Sequence, residues 1–292
     1  MQIGKLGVWA NTDGLTAAEA AAFAVRVERW GYTVLWIPEA LGRNSLVHAA
    51  WLLANTERLI IATGIANVYA RDAMAMRSAQ LTLAEQSNGR FLLGIGVSHA
   101  PLVHDVRGHT YDPRPVTHMR AYLEQLAAAQ CRLPPPPATP PTVIAALGPK
   151  MLQLAGQMSD GAHPYNVTPA HTAQARQLLG AGKWLCPEQK VLLESDPVRA
   201  RTIARAALDF YLKAPNYLNN LRRLGFEDAD FADAGSDRLV DALVAWGDIG
   251  AIRARIQAHW DAGADHVCVQ ALSPDLSRGH AAHEQLLAQL AP

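Results

Sequence analysis

At 292 residues, half of them hydrophobic, the chain is long enough to bury one large core, and its length suits a single α/β barrel of about 250 residues better than two small domains. Lysine plus arginine balances aspartate plus glutamate at 26 each, so no overall field draws the protein to nucleic acid or to an acidic membrane face, and a small molecule is the expected partner. The three cysteines, Cys131, Cys186 and Cys268, have no metal or dithiol spacing and are odd in number, which fits a reducing cytoplasm; no apolar run reads as a signal peptide or a membrane span.

Taken in order, short β-branched runs alternate with longer segments of helical period, the pattern of parallel strands joined by crossover helices. Lys5 to Ala10 is the first predicted strand, and Thr16-Ala17-Ala18-Glu19 reads as a capping box opening a helix to Trp30. Thr33 to Ile37 is the second strand, followed by a helix over Ser45 to Ala54, and Leu59 to Ile65 the third. Asp72 caps the helix running to Gln86, Gly89 precedes the fourth strand at Phe91 to Ile95, and a helix covers Val116 to Gln130. Residues 133 to 141 carry six prolines and form a stiff surface connector.

The second half continues with strands at Thr142 to Ala146 and Gly161 to His163, helices from Lys150 and after Thr168, a seventh strand at Lys190 to Glu194 and an eighth at His266 to Gln270. Residues 196 to 262 are mostly of helical pattern and are expected as extra helices packed over one side of a barrel mouth. An open doubly wound sheet also alternates strand and helix, but the number of strands favours closure, so the expectation is a (β/α)₈ TIM barrel forming one domain over residues 1 to 292.

Active sites of such barrels lie just after the strands' C-terminal ends. Glu39 follows the second strand; a carboxyl raised in pKa by partial burial there would suit proton transfer, and a solvated loop carboxylate is the plain alternative. His99 follows Gly94-Ile95-Gly96-Val97-Ser98, and its near-neutral reference pKa suits proton transfer, a surface histidine among several being the plain alternative. His104, His109 and His118 lack the spacing of a metal cluster, and no metal is expected. Gly148-Pro149-Lys150 opens a helix after the fifth strand, where free amides and the helix dipole favour a phosphate, although simple helix initiation explains the proline equally well.

Gly64-Ile65-Ala66-Asn67 after Leu59-Ile60-Ile61-Ala62-Thr63, with Trp36-Ile37-Pro38-Glu39-Ala40 and Phe91 to Gly96, resembles the signature of the luciferase-like family, and the likeness runs over nearly the whole chain. The branch it resembles most uses the deazaflavin coenzyme F-420 (F420). That resemblance implies a non-prolyl cis peptide at Gly64-Ile65 in a bulge behind the cofactor ring. It also implies cofactor contacts from Gly64, Ile65, Ala66, Asn67, Gly96 and Val97, a phosphate on Gly148, Pro149 and Lys150, and catalysis by His99 with Glu39. Asn67, Tyr69 and Arg71 are candidates to orient the cofactor's polar edge, and Trp9, with Tyr69, to wall the substrate pocket. The implied function is hydride transfer between the deazaflavin and a small organic substrate, by a homodimer. An FMN-dependent monooxygenase on the same barrel is the first alternative; a non-catalytic deazaflavin-binding protein and a redox-free sugar-phosphate barrel are others. The stretch from Pro215 to Phe226 reads either as lining for substrate or a subunit contact, or as ordinary helix packing.

Overall fold

The computed structural model describes residues 1–273 and 281–292. Its strands are β1 (Leu6–Trp9), β2 (Val34–Ile37), β3 (Ile60–Thr63), β4 (Ala66–Asn67), β5 (Phe91–Gly96), β6 (Thr142–Ile144), β7 (Gly161–Ala162), β8 (Trp184–Leu185), β9 (Glu188–Leu193), β10 (Val244–Gly247) and β11 (Val267–Ala271). All pair in parallel, in the order β10-β9-β11-β1-β2-β3-β5-β6-β7-β8, with β4 on β5. β8 and β9 are one run of chain interrupted at Cys186-Pro187. On one side the Cys186 amide donates to the Ala162 carbonyl at 2.9 Å and the Glu188 amide to Pro164 at 2.9 Å; on the other the Cys268 amide donates to Pro187 at 3.0 Å. That run therefore bridges β7 and β11, and the sheet curls round on itself as a TIM barrel does.

Strand residues sort by the period of two. Trp9, Val34, Trp36, Ile60, Ala62, Leu92, Val143, Cys186 and Cys268 point into the barrel and form one buried cluster. Their neighbours Val8, Leu35, Ile37, Ile61, Phe91, Leu93 and Ile95 face outward into a larger core shared with the helices. The helices are α1 (Ala17–Arg29), α2 (Ser45–Ala54), α3 (Ala73–Gln86), α4 (Pro115–Ala128), α5 (Pro149–Met158), α6 (Pro169–Leu179), α7 (Pro197–Leu208), α8 (Pro215–Arg223), α9 (Asp228–Phe231), α10 (Asp237–Leu243), α11 (Ile249–Asp261) and α12 (Ala281–Leu290). Their starts are written in the sequence: Thr16 and Glu19 make the reciprocal capping box of α1, and the side chains of Asn44, Asp72, Thr168, Asp196, Ser236 and Asp248 cap α2, α3, α6, α7, α10 and α11.

Three expectations are corrected. The third strand does not run unbroken to Ile65: it stops at Thr63, the Gly64–Ile65 peptide is cis, and Ala66–Asn67 resumes as a separate strand on β5. The seventh strand begins before Lys190, because Glu188 and Gln189 are buried within it. The insertion is not helix alone, since β10 lies within it and pairs with β9 from Val244↔Lys190 to Gly247↔Leu193. Its apolar residues follow α10 without a break, so Leu239, Val240, Leu243 and Val244 read as one helical stripe. The helices of the insertion pack with Leu192 and Val244 into a second, smaller core.

Candidate active site

At the mouth formed by the strand ends, the bulge Gly64–Asn67 is fixed from three sides. Gly94 sits so close to Thr63 that an added Cβ would lie 2.0 Å from the Thr63 carbonyl oxygen, and Thr63 Oγ1 donates to the Gly94 carbonyl at 2.7 Å while accepting from the Gly94 amide at 2.9 Å. Gly96 leaves room for Ile65, whose Cδ1 would be 2.7 Å from a Cβ there. Both glycines of the Gly-x-Gly thus serve close packing of the bulge. From inside the barrel, Trp9 Nε1 donates to the Gly64 carbonyl at 3.0 Å.

The third support is Glu39. Its carboxylate accepts from Arg71 Nη1 at 3.0 Å, from Arg71 Nη2, and from the Asn67 amide at 2.8 Å. Burial pushes this carboxyl upward, but the Arg71 and backbone hydrogen bonds outweigh it and hold the pKa below the ordinary carboxylate range. The expected raised pKa is therefore reversed: Glu39 stands ionised, fully occupied, and orders the loop that carries Asn67. Asn67 is buried, its Oδ1 accepting from the Tyr69 amide at 2.9 Å while its Nδ2 has no partner. Tyr69 is not brought to Trp9. Its ring stacks on His118 at 4.5 Å and on Tyr111 at 5.6 Å, and its hydroxyl accepts from the Asp112 amide at 3.0 Å.

His99 is half-buried after β5, its turn made possible by Ser98 in the left-handed region at φ 57°. Its ring meets Phe210 at 5.8 Å and Tyr217 at 5.7 Å, and it hydrogen-bonds to Asn216. Burial lowers its pKa, which the Asn216 bond partly offsets, so the imidazole is mainly neutral at pH 7 and can accept a proton. The stretch from Pro215 thus carries residues over the mouth as well as packing ones: α8 reaches His99 at one end and, through Arg223, Gly148 at the other, where Arg223 Nη2 lies 3.4 Å from the position of a Gly148 Cβ. Gly148 precedes α5 without a side-chain cap, Pro149 occupies its first turn, and Lys150 is exposed beside it. His171 Nε2 donates to the Leu147 carbonyl at 2.9 Å just before that turn.

A second cluster at the mouth escaped the sequence reading. Glu188 and Lys190, two apart on β9, face inward and are almost wholly buried; Lys190 Nζ contacts Asn166 Oδ1 at 2.5 Å and Glu188 Oε1 at 3.3 Å. Burial pushes Glu188 up and Lys190 down, and each charge opposes the shift of the other. The ammonium lies 4.0 Å from the ring centroid of Tyr165 and 5.2 Å from that of Tyr211. Tyr165 also meets Trp9 at 5.3 Å, joining this cluster to the bulge. The signal was the i, i+2 spacing of two opposite charges at the start of the seventh strand, where Lys190 reads as the strand's solvated first residue and Glu188 as loop before it. Two open cavities, of about 430 and 300 Å³, lie away from this mouth, one under β10 and α11 and one between α3 and α4. Among the described residues no helix is long and apolar enough to cross a membrane, and no group of three or more histidine, cysteine or acidic side chains is placed to hold a metal.

Comparison with known proteins agrees with this architecture. Residues 2–266 match the model of a family described as luciferase-like monooxygenase. A Mycobacterium tuberculosis protein, provisionally named as a coenzyme F420-dependent oxidoreductase, is 25% identical over 97% of this chain and 98% of its own. The solved coenzyme F420-dependent tetrahydromethanopterin reductase of Methanopyrus kandleri superposes with a TM-score of 0.78 at 17% identity, covering 100% of this chain and 98% of that one. The oxygenating constituent of a Pseudomonas putida diketocamphane monooxygenase, solved in complex with FMN, superposes at 0.74 with 13% identity over 99% and 97%.

Proposed function

Since the chain belongs to the luciferase-like monooxygenase family, we propose that it is an oxidoreductase that moves a hydride between coenzyme F420 and a small organic substrate. The observation that carries this reading is the bulge between β3 and β4, where Asn67 is buried with a spare amide donor beside the backbone of Gly64, Ile65 and Ala66. The residues present fit a tricyclic ring and its tail. Gly64 to Asn67, with Gly96 at the end of the neighbouring strand and Val97 just after it, would back the ring; the free amides of Gly148 and Lys150 at the start of α5, set by Pro149 between them and with Arg223 close by, would take a phosphate. The deazaflavin supplies the hydride chemistry when bound.

The remaining work falls to the protein. His99, neutral at pH 7, takes the proton that leaves a substrate as its hydride is removed, and returns it in the reverse direction. Glu39 positions Asn67 through Arg71 and the Asn67 amide and is assigned no proton transfer. Trp9 and Tyr217, both buried, wall the substrate space, and Phe210 stands at its exposed rim against His99.

Titration of the purified protein with coenzyme F420 and, separately, with FMN, following ring fluorescence, tests the assignment. Preference for the deazaflavin supports it; preference for FMN makes the protein a flavin monooxygenase, the reading favoured by the likeness to the FMN complex; binding of neither removes the redox function.

We further propose that residues 1–292 act as one domain, supported by Leu192 and Val244, which belong to the sheet and to the second core at once. The protein is taken to work in the cytoplasm, in keeping with its three unpaired cysteines. Pairing of two copies is proposed through the face of α2 and its neighbours, where Leu41, Val47, Trp51 and Met74 are exposed.

A further inference from the structure

We propose that α8 forms the outer wall of the cofactor's tail site, with Asn220 donating to the hydroxylated five-carbon chain between ring and phosphate and Arg223 pairing with the phosphate; this rests on the redox-cofactor reading above. Contacts at its two ends fix this helix across the mouth. At one end Asn216 hydrogen-bonds to His99 and the Tyr217 ring meets it at 5.7 Å; at the other, Arg223 Nη2 lies 3.4 Å from the position of a Gly148 Cβ. With a rise of about 1.5 Å per residue, Tyr217 and Arg223 stand about 9 Å apart along the axis, a distance that a five-carbon chain ending in a phosphate covers. Asn220 is the midpoint, three residues from each and on the face they share. It is 2% exposed, and its Nδ2 has no hydrogen-bond partner among the described residues.

Packing alone does not account for an asparagine at that point. The second core takes Leu221 from α8, and a leucine at position 220 would fill its place without leaving a donor dry. Buried amides without an acceptor are few in native interiors, and a ligand that brings an acceptor completes this one. Charge separates the two ends of that ligand. Arg222 is paired with Asp228 at 2.7 Å, whereas Arg223 has no acidic partner among the described residues. It faces the start of α5, where Gly148 precedes the helix with no side-chain cap. Burial, and with it the charge of Arg223, lowers the pKa of His171, whose Nε2 holds the Leu147 carbonyl in front of that turn. An unpaired guanidinium opposite free helix amides selects an anion, whereas the uncharged carboxamide of Asn220 takes a hydroxyl oxygen. The barrel thus supplies one wall of the tail site and the insertion the other.

Wild type and variants would be titrated with coenzyme F420 and with its fragment FO, which keeps the ring and polyol and lacks the phosphate, following ring fluorescence. Asn220→Leu should weaken both ligands by about fivefold or more, and Arg223→Met should weaken coenzyme F420 by about tenfold while leaving FO within about twofold. Ligand-free Asn220→Leu should melt no lower than the wild type, since an apolar group of similar size replaces a dry donor. The contact at Asn220 is overturned if the leucine variant binds both ligands as the wild type does, if it loses coenzyme F420 alone, or if FO does not bind the wild type. Equal loss of both ligands in Arg223→Met overturns the phosphate pairing. A wild type that takes FMN instead removes the hydride-transfer reading and leaves this one to the same comparison with FMN and riboflavin, which carry the same polyol with and without a phosphate. If none of the four binds, both readings fall. Should Asn220→Leu not fold, Asn220→Ala decides.

Discussion

A histidine and a carboxylate sit at matching places in the sequence, each just past a strand end, and their surroundings give them opposite tasks. His99 is relieved of charge by burial, whereas Glu39 is locked into it by Arg71 and the Asn67 amide. His99→Gln should lower turnover by about 100- to 10,000-fold, the usual worth of a general base, with unchanged binding of coenzyme F420 by fluorescence titration. Because the imidazole's pKa lies below its ordinary value, oxidative turnover should hold level at pH 7 and above and fall as acid protonates the base, with a midpoint below pH 6.5; a midpoint above 6.5 would exclude His99. Removing the cation beside Glu39 leaves a buried, uncompensated carboxylate, so Arg71→Met should cost about 3–5 kcal/mol in a denaturant titration. Smaller effects there would mean that the carboxylate finds water. Much of this scale was legible beforehand, since His99, Asn67 and the Gly64 bulge stand where strand-end logic and family likeness put them. Tyr165 too lies just past the sixth strand, but its link to Tyr211 and Gln270 was not legible, because the three meet only after distant segments converge and nothing local to any of them announces the others.

At the level of elements, the Gly-x-Gly of β5 separates two kinds of close approach. Gly94 faces backbone, so Gly94→Ala would drive a methyl into the Thr63 carbonyl and should cost several kcal/mol, seen as a lower melting temperature or loss of soluble protein. Gly96 faces the flexible tip of Ile65. Gly96→Ala should fold, move that side chain, and weaken coenzyme F420 binding more than it lowers the melting temperature. If both variants bind cofactor as the wild type does, the bulge does not back the ring. Helix starts were readable almost to the residue from Thr16, Asn44 and Asp72, because a cap is a local hydrogen bond. The added strand β10 was not, because a four-residue apolar run joined directly to a helix keeps the helix's period, and only pairing with β9 makes it a strand.

For the molecule as a whole, buried histidines set the pH range. His48, His163 and His266 are lowered by burial to about 4, and His259 to about 3. Each binds its proton more readily unfolded than folded. Their stabilising share is therefore complete above the unfolded value near 6.5 and is lost as pH falls toward the folded values, at up to about 1.4 kcal/mol per unit for each. The urea midpoint should accordingly be level from pH 7 to 8 and drop clearly by pH 5; a flat profile to pH 5 would mean that these rings gain water. Sedimentation should give a dimer that Val47→Glu dissociates, if the apolar face of α2 is the contact. The second core has a consequence for how such a protein diversifies. The segment from α7 to α10 leaves β9 and returns on β10, its pairing partner, and encloses its own apolar interior, while the Gly64–Asn67 bulge belongs to strands at the opposite wall. It is a cassette: exchanged for the equivalent crossover of another barrel, it would replace Tyr211 and Tyr217 over the mouth together, and Arg223 beside Gly148 with them, while β1 to β6 stay as they are.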